Sequence, residues 1–167
     1  MIQDLNALYQ DQIRDIHNAE TQLIDALPKM AEAATDEDLR KAFQDHLEET
    51  RQQRERLEKI AASHGFSPEG ETCDAMRGLI KEGEKHKGDT SGGAVRDAVL
   101  IAAANRVEHY EIAAYGVART FAKVLGFDDD VSLLDESLDE ESAADSKVTK
   151  IATGGLLGSG VNEAAAN

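Results

Sequence analysis

The sequence contains few of the residues that build disulfides, tight turns and β-sheets. Its 167 residues include one cysteine, Cys73, two prolines and no tryptophan, and aromatic residues make up 4% of the chain. A single cysteine excludes an internal disulfide, so we expect a reducing, cytoplasmic environment. The scarcity of aromatic residues, beside many Ala, Leu, Glu and Asp residues, favours an all-α protein, and the length suits one domain with a sizeable core.

Long hydrophobic runs and an excess of positive charge are also missing. No run approaches the roughly 18 apolar residues of a transmembrane helix, and residues 1–15 lack the basic and apolar regions of a signal peptide. The formal net charge is −15, from 33 acidic and 18 basic residues. Phosphate groups would be repelled by this charge, so we expect no nucleic-acid and no membrane partner, whereas cations would be attracted.

Apolar residues recur at helical spacing in four long segments, and no segment alternates as a β-strand does. The first segment contains Pro28, which should kink it or separate its last turns. A connection at residues 65–92 contains turn-forming sequence and one short helix, for which Thr72 is the predicted N-cap. The predicted long helices cover about residues 2–34, 36–64, 93–125 and 128–152.

These segments predict an up-down four-helix bundle in residues 1–152, with a long connection between helices two and three. Residues 153–167 form a Gly-rich C-terminal tail, for which we expect an irregular structure.

The predicted helices carry acidic and polar side chains on their apolar faces, at about the same height. Antiparallel helices of similar length bring their midpoints together, so these side chains should share one layer of the core. Such side chains are expensive to bury unless something compensates them. The candidates are Glu20 on helix one, His46, Glu49 and Gln53 on helix two, Glu108 and Glu111 on helix three, and Glu141 and Asp145 on helix four.

Two divalent cations would compensate this layer, because they neutralise about four carboxylates. A known solution in bundles places one Glu from each of two helices and a Glu-x-x-His from each of the other two around a di-iron or di-manganese centre. This chain matches that pattern in part: His46 and Glu49 stand in the reversed order, and no His follows Glu141 at the expected spacing. The oxygen-rich set favours two Fe ions, with Mn as the alternative.

At these residues the sequence resembles the YciE/YciF group of ferritin-like proteins, which are associated with stress in bacteria. The matching stretches cover almost the whole chain in order: "LYQDQIRDIHNAETQLIDALPKMAEAA", "AFQDHLEETRQQRERLEKI", "CDAMRGLIKEGE", "VEHYEIAAYG" and "LLDESLDEESAAD". The resemblance implies a ferritin-like four-helix fold, a di-iron site, a homodimer and a ferroxidase activity. The inward acids of the family fall here on Glu20, Glu49, Glu108, Glu111 and Glu141, and relatives often carry His in place of Gln53.

The leading hypothesis is therefore a di-iron protein that oxidises Fe(II) with O2 or peroxide as part of stress protection. We predict Glu20 and Glu108 as terminal ligands, Glu49 and Glu141 as bridges, and Glu111 as an additional ligand. His109 is predicted to be structural or to support a ligand, and His17, His64 and His86 should lie at the surface. Tyr110 and Tyr115 should pack, although a tyrosine beside a di-iron site could also form a hydrogen bond or pass an electron. Cys73 should lie outside the layer and be inert.

The alternative is a non-catalytic, dimeric stress-response scaffold whose inward acids form a structural ion-pair network. In that case Arg106 would pair with Glu108 or Glu111, and Arg54 with an acid of helix one. Storage of iron inside a larger cage is a weaker hypothesis, because nothing in the sequence specifies a shell.

Overall fold

The chain is built from helices, as the sequence predicts. A computed structural model describes residues 2–155 and 158–166, and these contain six helices and no strand. Met1 of the predicted bundle and Leu156, Leu157 and Asn167 of the predicted tail lie outside the described residues. The helices are α1 (Leu5–Ala33), α2 (Glu37–Ser63), α3 (Asp74–Gly88), α4 (Gly93–Leu125), α5 (Asp128–Thr153) and α6 (Val161–Ala165).

Two apolar clusters, one at each end of the bundle, define the direction of the four long helices. The first cluster contains the end of α1, the start of α2, the start of α4 and the end of α5. The second contains the start of α1, the end of α2, the end of α4 and the start of α5. Neighbouring helices are therefore antiparallel, and the connection from α2 to α4 must span the length of the bundle. This is the predicted ferritin-like arrangement, and α3 lies in the long connection, packed on α1 and α4.

Helix boundaries follow capping chemistry, with one difference from the prediction. Asp36 caps α2 by accepting a hydrogen bond of 2.9 Å from the backbone N–H of Leu39. The short helix α3 is capped by the thiol of Cys73 rather than by Thr72, because Cys73 Sγ lies 3.4 Å from the backbone nitrogen of Met76. Of the two effects expected of Pro28, separation of the last turns of α1 does not occur, since the helix continues to Ala33.

The tail differs from the predicted irregular structure, since it ends in the short helix α6. Val161 is 7% exposed and joins the first apolar cluster, so α6 is docked on the bundle. The glycines allow this close approach: a Cβ at Gly160 would lie 2.2 Å from the carbonyl oxygen of Ala152. Gly154 ends α5 with φ of 74°, a left-handed conformation that favours glycine.

No helix in the described part of the chain has both the length and the apolar character that crossing a lipid bilayer requires.

Candidate metal centre

A layer of polar side chains separates the two apolar clusters. Glu20, Glu111 and Glu141 are fully buried, and Glu108 and His46 are 3% and 5% exposed. Each of the four long helices contributes at least one of these side chains, as the midpoint argument predicts. We call these five residues, together with Gln53, the acidic layer.

Four members of the layer converge on one point. His46, Glu108, Glu111 and Glu141 each offer one ligand atom, and these atoms all lie within 4.8 Å of one another. The Nε2 atom of His46 lies 3.4 Å from Glu108 Oε1 and 3.7 Å from Glu141 Oε2. This spacing places carboxylate oxygens and an imidazole nitrogen around a volume that a metal ion could share.

The layer lacks hydrogen-bond partners to an unusual degree. Native proteins pair nearly all of their buried polar atoms. Among the described side chains, nine buried nitrogen or oxygen atoms have no hydrogen-bond partner, and eight of them belong to the acidic layer. Seven of these eight are oxygens, and one is the Nε2 atom of His46. They are Glu20 Oε2, Gln53 Oε1, Glu108 Oε2, both oxygens of Glu111, both oxygens of Glu141, and His46 Nε2.

Burial and mutual repulsion disfavour the ionised form of these acids. Burial, with repulsion from Glu141, raises the pKa of Glu20 to about 8. Burial likewise raises the pKa of Glu108 to about 7, with Glu20 adding repulsion. The pKa values of Glu111 and Glu141 also lie well above the usual range for a carboxyl group, again chiefly because of burial. The layer therefore has to hold either protons or metal cations at neutral pH.

In His46, by contrast, the surroundings favour the charged form of the side chain. Burial alone would lower its pKa, but the carboxylates of Glu141, Glu49 and Glu20 outweigh burial and raise it. A protonated His46 supplies one positive charge, which is too little for four carboxylates.

Side chains around the layer hold some of its members in place. The hydroxyl of Tyr115, itself fully buried, donates a hydrogen bond of 2.5 Å to Glu20 Oε1, which is the alternative to plain packing that the sequence left open for this tyrosine. Arg56 binds Glu140 at 2.7 and 2.8 Å. Glu140 in turn accepts a hydrogen bond of 3.0 Å from the side-chain amide of Gln53, which leaves Gln53 Oε1 buried and unpaired. Sequence reasoning missed Arg56 and Glu140, although Arg56 follows Gln53 by three residues on the buried face of α2.

Two predicted site residues lie at the edge of the layer rather than inside it. The side chain of Glu49 is 43% exposed, and its Oε2 atom lies 3.3 Å from His46 Nδ1. Asp145 accepts a hydrogen bond of 2.8 Å from Asn105 and lies 3.4 Å from Nε2 of the exposed His109. The structure thus brings Glu20, His46, Gln53, Glu108, Glu111 and Glu141 into the layer and places Glu49 and Asp145 beside it.

The arginines that a structural network would need are engaged elsewhere. Arg54 pairs with Glu58 of its own helix, at 3.4 Å, rather than with an acid of α1. Arg106 donates a hydrogen bond of 2.7 Å to the carbonyl oxygen of Ala102 and lies 3.7 Å from Glu82. Neither of these arginines compensates the acidic layer.

Two further expectations need correction. His17 is buried, with Nε2 3.4 Å from Glu58 Oε1, and His64 lies 2.6 Å from Asp130 Oδ2, so neither is a plain surface residue. Cys73 is buried outside the layer, and its sulfur lies 2.9 Å from the hydroxyl of Tyr110.

The chain is similar to known proteins over most of its length. A family model described as a domain of unknown function, DUF892, matches residues 4–166. Protein YciF of Escherichia coli (strain K12) is 45% identical over 141 residues, which cover 84% of this chain and 85% of that protein. The crystal structure of the E. coli stress protein YciF matches with a TM-score of 0.85 and 41% identity, over 89% of this chain and 94% of that one. The structure of YcfI from Rhodopseudomonas palustris matches with a TM-score of 0.88 and 44% identity, over 90% and 96% of the two chains. The chain is therefore a member of the DUF892 family and, by its likeness to YciF, of the family of that protein.

Proposed function

We propose that the acidic layer binds two iron ions and that the protein is a ferroxidase. The observation that carries this proposal is the group of eight buried, unpaired ligand atoms in the layer. Because unpaired buried polar atoms are costly, their concentration in one layer of the core supports a partner that binds there.

The charges and the ligand types fit two divalent cations. Glu20, Glu108, Glu111 and Glu141 carry four negative charges when ionised, which two divalent ions neutralise. His46 and the Gln53 carbonyl oxygen add neutral ligand atoms to the set. Hard oxygen ligands with a single imidazole suit Fe and Mn better than Zn or Cu. The structure places the predicted ligands Glu49 and Asp145 at the edge. Asp145 stays a predicted ligand that would have to turn inward, and Glu49 would have to do the same to be a resident ligand.

The side chains of the layer also favour oxidation of the bound iron. Carboxylates stabilise Fe(III) more than Fe(II), because the ligands are hard and negatively charged. Two Fe(II) ions bound there would supply two electrons, enough to reduce O2 and two protons to H2O2, or to reduce H2O2 and two protons to two water molecules. The apolar clusters above and below the layer limit the access of water. Protons held by Glu20 and Glu108 leave when metal binds, and both residues can hold protons again when the metal leaves.

The biological setting of this activity is proposed from the relatives. The E. coli relative YciF is described as a stress protein. Removal of Fe(II) together with peroxide protects a cell under oxidative stress, so we propose a role in stress protection. The cytoplasmic location and the homodimer expected from the sequence belong to the same proposal, and light scattering tests the dimer.

Anaerobic titration with Fe(II), followed by addition of O2, tests the proposed function. We expect uptake of two Fe(II) per chain and, after O2, a near-ultraviolet absorption that grows in proportion to the iron bound. Absence of both the stoichiometric uptake and the absorption contradicts the proposal, and favours the scaffold alternative.

A further inference from the structure

A small cavity connects the surface with the acidic layer. It has a volume of about 70 Å³, and its lining includes Glu49, His46 and Glu108. The side chain of Glu49 is 43% exposed, whereas those of His46 and Glu108 are 7% and 4% exposed. The lining of one cavity therefore includes a half-exposed carboxylate and two buried residues, each of which has a ligand atom without a hydrogen-bond partner.

His46 lies between the outer and the inner carboxylates. Its Nδ1 atom is 3.3 Å from Glu49 Oε2, and its Nε2 atom is 3.4 Å from Glu108 Oε1. The ring thus contacts an exposed acid on one side and a member of the acidic layer on the other. A cation that binds first at Glu49 would be separated from the buried carboxylates by the width of the His46 ring.

Small side chains keep the cavity open where α2 and α5 face each other. Ala42, Ala143 and Ala144 belong to its lining. Lys147 also lines it, but its ammonium group is held by Asp45 at 2.9 Å, and Asp45 also binds Lys41 at 2.8 Å. The positive charge of Lys147 is therefore bound to Asp45 and leaves the carboxylate of Glu49 available to an incoming cation.

A second cavity near the layer is less suited to a cation. It lies under α3, has a volume of about 30 Å³, and includes Leu23, Met30, Leu79 and Val107 in its lining. Its lining also includes the acid Glu84, but Glu84 Oε1 already lies 3.1 Å from the ammonium nitrogen of Lys87. A metal ion would therefore lose its hydration there for few ligands, which is costly. The cavity between α2 and α5 offers carboxylate ligands along its length instead.

We propose that metal ions reach the acidic layer through the cavity between α2 and α5, and that Glu49 captures them at its mouth without remaining a ligand in the final site. This inference rests on the proposed function, since it assumes that the layer binds metal. A residue that contacts the ion only during passage changes the rates of uptake and release by the same factor and leaves the equilibrium affinity unchanged.

Rates and stoichiometry of Fe(II) binding test this route in the full chain under anaerobic conditions. Glu49→Gln removes the charge at the mouth, and Ala144→Leu narrows the cavity while all charges remain. Glu48→Gln is the matched control, because it makes the same charge change one residue away on an exposed side chain. Equilibrium dialysis gives the number of ions bound and the affinity, stopped-flow mixing gives the uptake rate, and transfer to a coloured Fe(II) chelator gives the release rate.

We expect both Glu49→Gln and Ala144→Leu to slow uptake and release about tenfold, within the range by which charged clefts alter association rates, with the ion count unchanged. Wild-type rates in both variants overturn the route, and loss of a bound ion in Glu49→Gln shows that Glu49 is a resident ligand instead. If melting shows that Ala144→Leu does not fold, Ala143→Leu at the exposed rim takes its place. Binding of two ions by the wild type upholds the proposed metal site whatever the variants do, whereas no binding by the wild type overturns both the site and the route.

Discussion

Replacing Glu20 by Gln should stabilise the metal-free protein and weaken metal binding. Glu20 is fully buried, and its Oε2 atom has no hydrogen-bond partner. Glutamine has nearly the same shape, and its carbonyl oxygen can still accept the hydrogen bond from Tyr115. The substitution therefore removes a buried charge while it keeps the packing.

The size of the effect follows from the pKa of Glu20. A rise from 4.5 to about 8 corresponds to about 5 kcal/mol, at about 1.4 kcal/mol per pKa unit. A buried amide without a full set of partners costs roughly 1–3 kcal/mol, so we expect a net gain of about 2–4 kcal/mol at pH 9. Because the folded protein keeps a proton on Glu20 that the unfolded chain has released, the free energy of unfolding of the wild type falls as the pH rises from about 4.5 to about 8. At pH 5 this difference is only about 1 kcal/mol, so the cost of the buried amide should offset or exceed it, and Glu20→Gln should be no more stable than the wild type or up to about 2 kcal/mol less stable.

Urea unfolding of chelator-treated protein at pH 5 and pH 9 measures this difference. Glu48→Gln is the control, since its side chain is exposed and should change stability by no more than about 0.5 kcal/mol. Saturating Mn(II) should then stabilise the wild type more than Glu20→Gln, because binding to the folded state adds to its stability. Equal stability of wild type and Glu20→Gln at pH 9, with equal response to Mn(II), would refute the reasoning.

Three other predictions follow from contacts in and around the layer. Tyr115→Phe should cost the metal-free protein about 1–3 kcal/mol, measured in urea, because it removes the hydrogen bond to Glu20 from a buried oxygen; unchanged stability would speak against that bond. Affinity for Mn(II) should rise between pH 6 and pH 8, since the proton on Glu20, with a pKa of about 8, must leave before metal binds; an affinity independent of pH in isothermal titration would count against this. Gly160→Ala should destabilise the protein by about 1–3 kcal/mol, because the new Cβ would lie 2.2 Å from the carbonyl oxygen of Ala152. Gly158→Ala is the control and should be tolerated, since its nearest contact would be at 3.4 Å. Equal melting temperatures of the two variants would disprove the steric argument.

The bundle could be predicted because its signals are local and periodic. Apolar residues at helical spacing give the four long helices, and charged or glycine residues mark their ends. The height of the acidic layer follows from the same information, since antiparallel helices align their midpoints. This is why Glu20, Glu108, Glu111 and Glu141 could be named before the structure was known, and all four are buried in the layer.

Side-chain direction at the edge of a helical face could not be predicted in the same way. Successive residues on a helix differ by about 100° in direction, so Glu49, one residue away from Thr50 on the buried face of α2, lies half exposed at the margin. Asp145 is directed to Asn105 by a contact between α4 and α5 that sequence spacing does not reveal. The pairing of Arg56 with Glu140 is equally non-local.

The departures at caps and in the tail have similar physical causes. A thiol is a weak acceptor and an uncommon cap, so Thr72 is the better prediction from propensity although Cys73 is the cap in the structure. A five-residue helix has too few residues for a periodic signal, and α6 is stabilised by docking on the bundle and by close contacts at Gly160.

Anomalous diffraction at the iron edge, from crystals grown anaerobically with Fe(II), tests the central claim most directly. The proposed function predicts two iron peaks per chain inside the acidic layer, within bonding distance of Glu108, Glu111 and Glu141. No peak in the layer, or peaks confined to exposed acids on the surface, would contradict it.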